Sequence, residues 1–482
     1  MLFNSFQFLV FLPVVFVLYW FIFSERRWQN LLVVAASYLF YGWWNWRFLG
    51  LIVLTSLCSY ASGLLIEHFE GKRSQQRLVS AANIVVNLLI LGYFKYFNFF
   101  AENLDLLVHS MTGYHLDWVS TDIILPVGIS FYTFQALSYT IDVYRHQIRA
   151  THDLVEFCAY ISFFPQLVAG PIERATNLLP QFQQSRRFDY ARAVDGLRQM
   201  LWGFFKKLVV ADNCAMVVNN LWNAYDSLSG FTVFLLGFMF TLQIYCDFSG
   251  YSDIAIGCAR LFGFNLMRNF NFPYFSRDIP EFWRRWHISL TTWFRDYIYI
   301  PLGGNRCGQW RMMANVLIVW AISGLWHGAN WTFICWGLYH AVLLIIYNVL
   351  GINSKHKPIV ASGRWLPRIT ELLQMLLTLV LAVVGWIIFR CEDMNQAVHF
   401  ISHMFTTLAD GPFAIYGRKG LYAGLLVLLV EWLQRDKQHA LQFNQSRGLF
   451  QFTAVRYLTY ASILVAMFFL AGQVQTFIYF QF

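Results

Sequence analysis

The chain has 482 residues, of which 58% are hydrophobic, 19% aromatic and only 13% charged. Soluble globular domains carry about 25% charged residues, so this composition excludes a soluble protein and indicates a polytopic membrane protein. The net charge of +9 does not indicate nucleic-acid binding, because the Lys and Arg residues are spread over many short loops and form no single basic stripe.

The first apolar run covers residues 6–23. No Lys or Arg precedes it, no small-residue cleavage site follows it, and Glu25, Arg26 and Arg27 stand just beyond it. We interpret it as a retained membrane span with its N-terminus outside, not as a cleaved signal peptide. Further apolar runs of roughly membrane length occupy residues 29–45, 47–66, 78–100, 121–141, 208–222, 231–248, 312–330, 331–350, 371–389, 420–434 and 454–472.

These runs recur from end to end without a linker, a low-complexity tract or a convincing internal repeat. They predict an all-α polytopic membrane protein with about 11–12 transmembrane helices, forming a single domain over residues 1–482.

The positive charges favour one orientation. With the N-terminus outside, the loops on the inner side hold 30 of the 35 Lys and Arg residues. Because short cytoplasmic loops are enriched in these residues, the distribution predicts this orientation, although long loops are weaker evidence. The predicted inner loops are residues 24–30, 67–77, 142–153, 171–207, 260–311, 351–370 and 435–456.

One apolar stretch, residues 154–169, is predicted to enter the membrane and return on the same side. A complete crossing would place the following Arg- and Lys-rich loop outside. Proline and glycine at 165, 170 and 171 break the helix. Similar breaks are predicted at residues 125–130 and 299–306. Non-helical backbone at membrane depth must be buried in protein or line a cavity, so the interior is expected to be irregular and partly wet.

The eight cysteines, at positions 58, 158, 214, 246, 258, 307, 335 and 391, never form a Cys-x-x-Cys pair. They indicate neither a disulfide framework nor a zinc cluster, and no metal site is predicted. We interpret them as small buried hydrophobic residues.

His327 lies within the sequence SGLWHGANW, residues 323–331, which interrupts an apolar region from 312 to 350. An ionisable group at membrane depth is costly unless it faces a cavity or protein, so it marks a candidate functional site. A neutral imidazole there suits a general base. The alternative is a buried structural histidine bonded to a carbonyl. Gly324 and Gly328 allow close backbone approach and favour a substrate channel.

A second histidine, His287, ends the sequence EFWRRWH at residues 281–287. Arg284 and Arg285 precede it and Arg295 follows it, all beside large aromatic residues. Guanidinium groups on the inner side of a membrane suit an anionic headgroup or a phosphorylated cofactor. An aromatic belt with snorkelling arginines explains the same pattern without function.

Several motifs together resemble the membrane-bound O-acyltransferase (MBOAT) family over nearly the whole chain. Within the family, the chain is most similar to the bacterial branch that includes the membrane subunit of alginate O-acetylation, which the closing residues 477–482 also resemble. The motifs are residues 281–305, residues 323–330, PVGISFYTFQ at 126–135, AGPI at 169–172 and YCDFSGYSD at 245–253.

The resemblance implies helices and re-entrant segments around a central funnel in the bacterial inner membrane, with a periplasmic N-terminus. It also implies that His327 and His287 are the functional histidines. The acyl donor would be a cytoplasmic thioester, acetyl-CoA, bound as a substrate and not as a permanent cofactor. The expected partners are a periplasmic or membrane-anchored acetyltransferase and an exported polysaccharide as final acceptor.

The resulting hypothesis gives each residue a role. Arg284, Arg285 and Arg295 would hold the donor phosphates, His327 would deprotonate the incoming hydroxyl, and His287 would orient or polarise the reacting carbonyl. The sequence does not decide between general-base and covalent catalysis. Three acidic residues are candidates to fix imidazole tautomers or to pack helices: Asp142, Asp247 and Asp253.

Other functions stay open at this stage. A transporter or flippase of an acylated carrier would use similar broken helices and a wet interior without bond chemistry. A non-catalytic scaffold that recruits an exported enzyme, and D-alanyl transfer to a cell-wall polymer, are further alternatives.

Overall fold

A computed structural model describes residues 1–116, 123–352, 359–408, 410, 414–443 and 448–478. Every regular element in these ranges is a helix, which confirms the all-α prediction. The chain divides into two compact units, residues 1–193 with 259–266 and residues 194–258 with 267–482. The last residues of the closing motif, 479–482, and the first two of the predicted span 121–141 lie outside the described residues.

The first unit contains eight α-helices: α1 (Phe6–Val17), α2 (Arg26–Asn45), α3 (Leu49–His68), α4 (Arg73–Leu91), α5 (Phe97–Thr112), α6 (Ile129–Tyr144), α7 (Leu154–Ser162) and α8 (Ala175–Gln183). Helix α9 (Tyr190–Phe205) begins in the first unit and continues into the second.

The second unit contains α10 (Asp212–Leu221), most of α11 (Gly230–Leu261), α12 (Ile279–Arg285), α13 (Ile288–Phe294), α14 (Gln309–His327), α15 (Trp331–Val349), α16 (Ile369–Arg390), α17 (Met394–Thr406), α18 (Arg418–Leu433) and α19 (Thr453–Leu470). The predicted spans 331–350, 371–389 and 454–472 therefore agree with α15, α16 and α19 to within two residues.

Six helical stretches in the described residues are long and apolar enough to cross a membrane, and they confirm a multi-pass membrane protein. The longest, Arg26–His68, has 43 residues, about twice the length that one crossing needs. It is interrupted at Asn45, whose φ of −160° is extended. Two spans, as the sequence predicts, therefore fit this stretch better than one. The total of about 11–12 crossings stays a prediction.

The predicted breaks are confirmed at all three places. Helix α7 ends at Ser162 after nine residues, and turns follow over residues 164–169. At about 1.5 Å per residue, α7 is too short to cross a hydrocarbon core of about 30 Å. The backbone is also non-helical over residues 123–128 and 300–307.

The boundary predicted between residues 207 and 208 is wrong. The sequence places an inner loop at 171–207 and a span at 208–222, but residues 190–221 form one continuous helical run through α9, a π-helical turn at Lys206–Ala211 and α10. Lys206 and Lys207, taken from the sequence as loop charges, are both buried in this run. Ion pairs with acidic residues of α11 make their burial possible.

A buried polar network holds the first unit together. The amide of Asn83 on α4 donates a hydrogen bond of 2.7 Å to the hydroxyl of Thr140 on α6. Ser62 on α3 lies 3.1 Å from the same hydroxyl. Hydrogen bonds of this kind stabilise helix contacts in membranes, where apolar surfaces give little driving force for association.

Candidate functional site

His327 is the last residue of α14, at a tight connection between two helices. Gly328 leaves the helical conformation, and the Asn330 side chain caps α15 by accepting a hydrogen bond of 3.0 Å from the backbone N–H of Thr332. This connection has only three residues between the helices. The histidine side chain is 5% exposed, so the turn buries an ionisable group inside the second unit.

Close packing of α14 against α15 positions this turn. A Cβ atom on Gly337 would lie 2.1 Å from the carbonyl oxygen of Trp320, so only glycine fits there. The prediction that Gly324 and Gly328 allow close approach is also confirmed, because both positions have no room for a Cβ against Phe333.

Aromatic rings surround His327. The imidazole centroid lies 4.9 Å from Trp326, 5.0 Å from Trp336 and 5.3 Å from Phe389, in each case nearly edge-on. These rings come from α14, α15 and α16, so three helices fix the position of one imidazole.

His287 lies at the junction of α12 and α13 and has a left-handed backbone conformation, with φ of +43°. This conformation is uncommon for a residue with a Cβ and costs on the order of 1–3 kcal/mol. Two backbone hydrogen bonds of 2.9 Å maintain it, from Ile288 to Asn269 and from Asn271 to Arg285. A strained histidine at this junction points to a role that glycine could not serve.

The His287 side chain is 1% exposed and belongs to a polar chain. Its Nδ1 lies 3.2 Å from Oδ1 of Asn269. The same oxygen accepts hydrogen bonds from the backbone N–H and the hydroxyl of Ser289, at 3.3 and 2.9 Å. Asn269 Nδ2 in turn donates to the hydroxyl of Ser252 at 3.2 Å.

Burial controls the charge of His287. The residue lies outside the six apolar stretches, and desolvation lowers the pKa of its imidazole from 6.5 to about 3. The ring is therefore neutral at physiological pH, and a neutral imidazole has one nitrogen that accepts a hydrogen bond.

The structure brings the two predicted histidines together around one indole. The ring of Trp326 lies 6.0 Å from the ring of His287 and 4.9 Å from that of His327, centroid to centroid. These two distances limit the separation of the imidazole centroids to at most about 11 Å.

The three predicted arginines have different surroundings. Arg285 is buried and forms a 2.7 Å ion pair with Glu281. Arg284 is exposed, and Arg295 is exposed and pairs with Asp296 at 2.6 Å. Burial by itself would raise the pKa of Glu281, but contacts with Arg277 and Arg285 lower it below its ordinary value. Arg285 thus has a structural partner, and donor binding by the three stays a prediction.

Two of the predicted acidic residues bind lysines. Asp247 pairs with Lys207 at 2.8 Å, and Asp253 pairs with Lys206 at 2.6 Å. Asp142 is fully buried on α6 in the first unit. The contacts of Asp247 and Asp253 support the helix-packing alternative, whereas the side chain next to Nδ1 of His287 is the amide of Asn269.

Sequence reasoning missed several residues of this site. His340 on α15 accepts a hydrogen bond of 3.3 Å from the indole N–H of Trp283, and its ring lies 5.1 Å from Trp336. Its position thirteen residues after His327, on the next helix, was the available signal. Asn269 carried none, because it is one of three asparagines within residues 265–271 and no pattern distinguishes it from the other two.

A small polar pocket borders Asn269 and lies in the second unit. Charged and polar side chains line it: Lys206, Ser252, Asp253, Arg268, Glu431 and His439. The described residues contain no cluster of His, Cys, Asp or Glu suited to a metal ion.

Comparison with known proteins places the site in a family. The chain is 41% identical to the probable alginate O-acetylase AlgI of Pseudomonas aeruginosa over 434 residues, which cover 89% of this chain and 80% of that protein. It is 33% identical to the peptidoglycan O-acetyltransferase of Helicobacter pylori, over 84% of this chain and 80% of that protein. It is 28% identical to the teichoic acid D-alanyltransferase of Bacillus subtilis, over 56% of this chain and 70% of that protein.

The model of the membrane-bound O-acyltransferase family, MBOAT, matches residues 38–383, a range that includes both His287 and His327. Most of the chain and both helices around the His327 turn lie within this match. The chain therefore belongs to the membrane-bound O-acyltransferase family, as its motifs predicted, and is a multi-pass membrane O-acyltransferase.

Proposed function

We propose that this protein is an O-acetyltransferase of the bacterial inner membrane, with its N-terminus in the periplasm. It takes an acetyl group from acetyl-CoA on the cytoplasmic side and passes it on for O-acetylation of an exported polysaccharide such as alginate. A periplasmic or membrane-anchored acetyltransferase completes the transfer. The observation that carries the proposal is the pair of buried imidazoles whose rings both lie within 6.0 Å of the Trp326 ring, inside the matched region.

The reaction follows from ordinary acyl-transfer chemistry. An acceptor hydroxyl attacks the thioester carbonyl, so that a C–O bond forms and the C–S bond breaks. The hydroxyl proton moves to an imidazole and then to the departing thiolate. His327 is the proposed proton acceptor. Its place at the end of α14 fixes the ring, and the surrounding aromatic rings exclude water.

Acetyl transfer and the orientation of the N-terminus have separate support. The two relatives of 33% identity or more named above are an alginate O-acetylase and a peptidoglycan O-acetyltransferase, whereas the D-alanyltransferase matches a smaller share of the chain. The predicted inner loops hold 30 of the 35 Lys and Arg residues, and this bias supports a periplasmic N-terminus.

The test is acetyl transfer by purified protein in lipid nanodiscs. Radiolabelled acetyl-CoA supplies the donor, alginate oligosaccharide with the periplasmic partner supplies the acceptor, and a D-alanyl thioester of a carrier protein is the alternative donor. We expect His327→Ala to reduce transfer by about 10²- to 10⁴-fold, the usual contribution of a general base. His399→Ala, at an exposed histidine of α17, is the matched control.

Normal transfer by folded His327→Ala would refute the catalytic role of this residue. Transfer from the D-alanyl donor alone would refute the acetyl assignment, and absence of any transfer by the unmodified protein would favour the transporter alternative.

A further inference from the structure

The amide of Asn269 contacts both His287 and Ser289, and these contacts fix its orientation. The Asn269 side chain is fully buried, and its amide faces His287 with the oxygen end. The backbone N–H of Ser289 points to the same end, at 3.3 Å. A backbone N–H can only donate, so the atom that it meets must be the oxygen and not the amide nitrogen. The orientation of the amide is therefore fixed by chemistry.

The other end of the amide is also held. Asn269 Nδ2 donates to the hydroxyl of Ser252 at 3.2 Å, so the nitrogen end of the amide also has a hydrogen-bond partner. A rotated amide would place an N–H group against the N–H of Ser289 and lose that hydrogen bond.

The protonation of the imidazole follows from this arrangement. Asn269 Oδ1 has only lone pairs, so the His287 nitrogen that lies 3.2 Å from it must be the donor. An unprotonated Nδ1 would set two lone pairs against each other at that distance. In the neutral ring the proton is therefore on Nδ1, and Nε2 carries the lone pair.

We infer that Asn269 is a positioning residue that holds His287 as the Nδ1-protonated tautomer, so that Nε2 carries a lone pair and can accept a hydrogen bond but cannot donate one. This inference rests on the proposed function, because it assigns His287 a role in that reaction. It replaces the role that the sequence suggested for His287. A group that polarises a carbonyl must donate a proton, and neutral His287 has no proton on Nε2.

The backbone of Asn269 also contacts the chain next to His287. The carbonyl of Asn269 accepts the N–H of Ile288 at 2.9 Å, directly after His287. The same asparagine thus holds both the strained backbone and the ring of the histidine. Replacing it with alanine removes only the contacts of the side chain.

The direct test reads the tautomer without requiring activity. Protein labelled with ¹⁵N at both histidine ring nitrogens is studied by solid-state NMR in lipid bilayers at neutral pH. The His287 signals are assigned by their loss in His287→Gln. We expect a protonated Nδ1 and an unprotonated Nε2 in the unmodified protein, and a mixture of tautomers in Asn269→Ala. A protonated Nε2 in the unmodified protein would overturn the inference.

The kinetic test compares three variants in the acetyl-transfer assay. Asn269→Ala should lower kcat by about 10- to 100-fold with little change in KM for the donor, as when a residue that orients a histidine is lost. Asn269→Asp keeps an acceptor at Nδ1 and should retain more activity than Asn269→Ala. It should also shift the acidic limb of the rate profile to higher pH, because a carboxylate favours the charged imidazole.

Asn315→Ala is the matched control, since this buried asparagine donates to the carbonyl of Leu302 on another part of the unit. Equal losses in Asn269→Ala and Asn315→Ala, or an unchanged pH profile in Asn269→Asp, would contradict the inference. If the unmodified protein transfers no acyl group, the proposed function fails, while the NMR measurement still decides the tautomer.

Discussion

The carbonyl oxygen of Phe333 lies so close to Gly324 that a Cβ atom on the glycine would be 2.2 Å from it. Such a distance is not possible for a real side chain, so α14 and α15 can approach only because residue 324 is glycine. His327 follows three residues later, at the end of α14. The contact between Gly324 and Phe333 therefore sets the position of the candidate base.

We predict that Gly324→Ala separates α14 from α15, lowers the melting temperature and reduces acyl transfer. Overpacking of this kind costs about 1–3 kcal/mol. Gly308→Ala at the start of α14 is the control, because a Cβ there has open space and φ is −55°. Thermal unfolding in detergent and the transfer assay measure the two effects. A stable, fully active Gly324→Ala protein would show that the helices tolerate separation.

The second prediction concerns the buried Lys206, which lies 2.6 Å from Asp253 and 3.8 Å from Glu431. Lys206→Met should destabilise the protein by about 3–5 kcal/mol, because removing one partner leaves buried carboxylates without a counter-charge. The double variant Lys206→Met/Asp253→Leu should lose less, since it restores the charge balance around Glu431. Thermal unfolding gives the comparison.

Lys419→Met makes the same substitution at an exposed lysine of α18 and should leave the melting temperature nearly unchanged. If Lys206→Met behaves like Lys419→Met, the buried network contributes little to stability.

Helices with uninterrupted apolar sequence were predictable, whereas helices with buried charges were not. Helices α15 and α16 begin and end within two residues of the predicted spans, because α15 has no Asp, Glu, Lys or Arg and those of α16 lie near its ends. Lys206 and Lys207 produced an incorrect boundary. Their partners, Asp253 and Asp247, lie some forty residues away in the sequence, and a single sequence does not show such pairing.

Some residues of the candidate site were predictable from the sequence and others were not. His287 and His327 stood out because an ionisable residue in an apolar or aromatic sequence is unusual. Asn269 did not, since its role depends on the backbone N–H of Ser289 and on the loop that brings it to the histidine. Arg285 stood out for its charge, but its contact with Glu281 appears only in three dimensions.

The third prediction separates the three arginines. Arg285→Ala should lower the melting temperature, because Glu281 is buried and loses one of its two arginine partners. Arg284→Ala and Arg295→Ala should fold normally. If their guanidinium groups bind the donor phosphates, KM for acetyl-CoA should rise about tenfold in each, as expected for the loss of one charge-assisted hydrogen bond.

Arg306→Ala, at another exposed arginine, supplies the baseline for these KM values. Unchanged KM values in Arg284→Ala and Arg295→Ala would assign both residues to the aromatic belt at the membrane surface.

The fourth prediction concerns the C-terminal segment 471–478, which packs against α11 within the second unit. Asp247 accepts the backbone N–H of Ile478 at 2.8 Å, and the ring of Phe477 lies 5.0 Å from Tyr251. Phe477 is also 6.2 Å from Phe248, whose ring is 4.7 Å from His287. Phe477→Ala should therefore destabilise the unit by about 3 kcal/mol and reduce transfer.

Val474→Ala, at a side chain that is 67% exposed in the same segment, should change neither property. Thermal unfolding and initial rates measure both variants. Full activity in Phe477→Ala would mean that segment 471–478 acts only on stability. A melting temperature equal to that of the unmodified protein would mean that the Phe477 ring does not anchor the segment.

The last prediction uses the lowered pKa of His287. In the folded protein the imidazole stays neutral down to about pH 3, whereas in the unfolded chain it takes up a proton below about 6.5. The unfolded state therefore binds more protons in this window, and His287 makes stability decrease as pH falls from 6.5 towards 3.

His287→Gln removes the titration, so the stability of the unmodified protein relative to this variant should decrease by up to about 1.4 kcal/mol per pH unit. Melting temperatures of both proteins between pH 7.5 and 4.5 test this difference, with His399→Gln at an exposed histidine as the control. Parallel pH dependences of the unmodified protein and His287→Gln would show that the imidazole takes up a proton at the same pH in the folded and unfolded states, so that burial does not keep it neutral below pH 6.5.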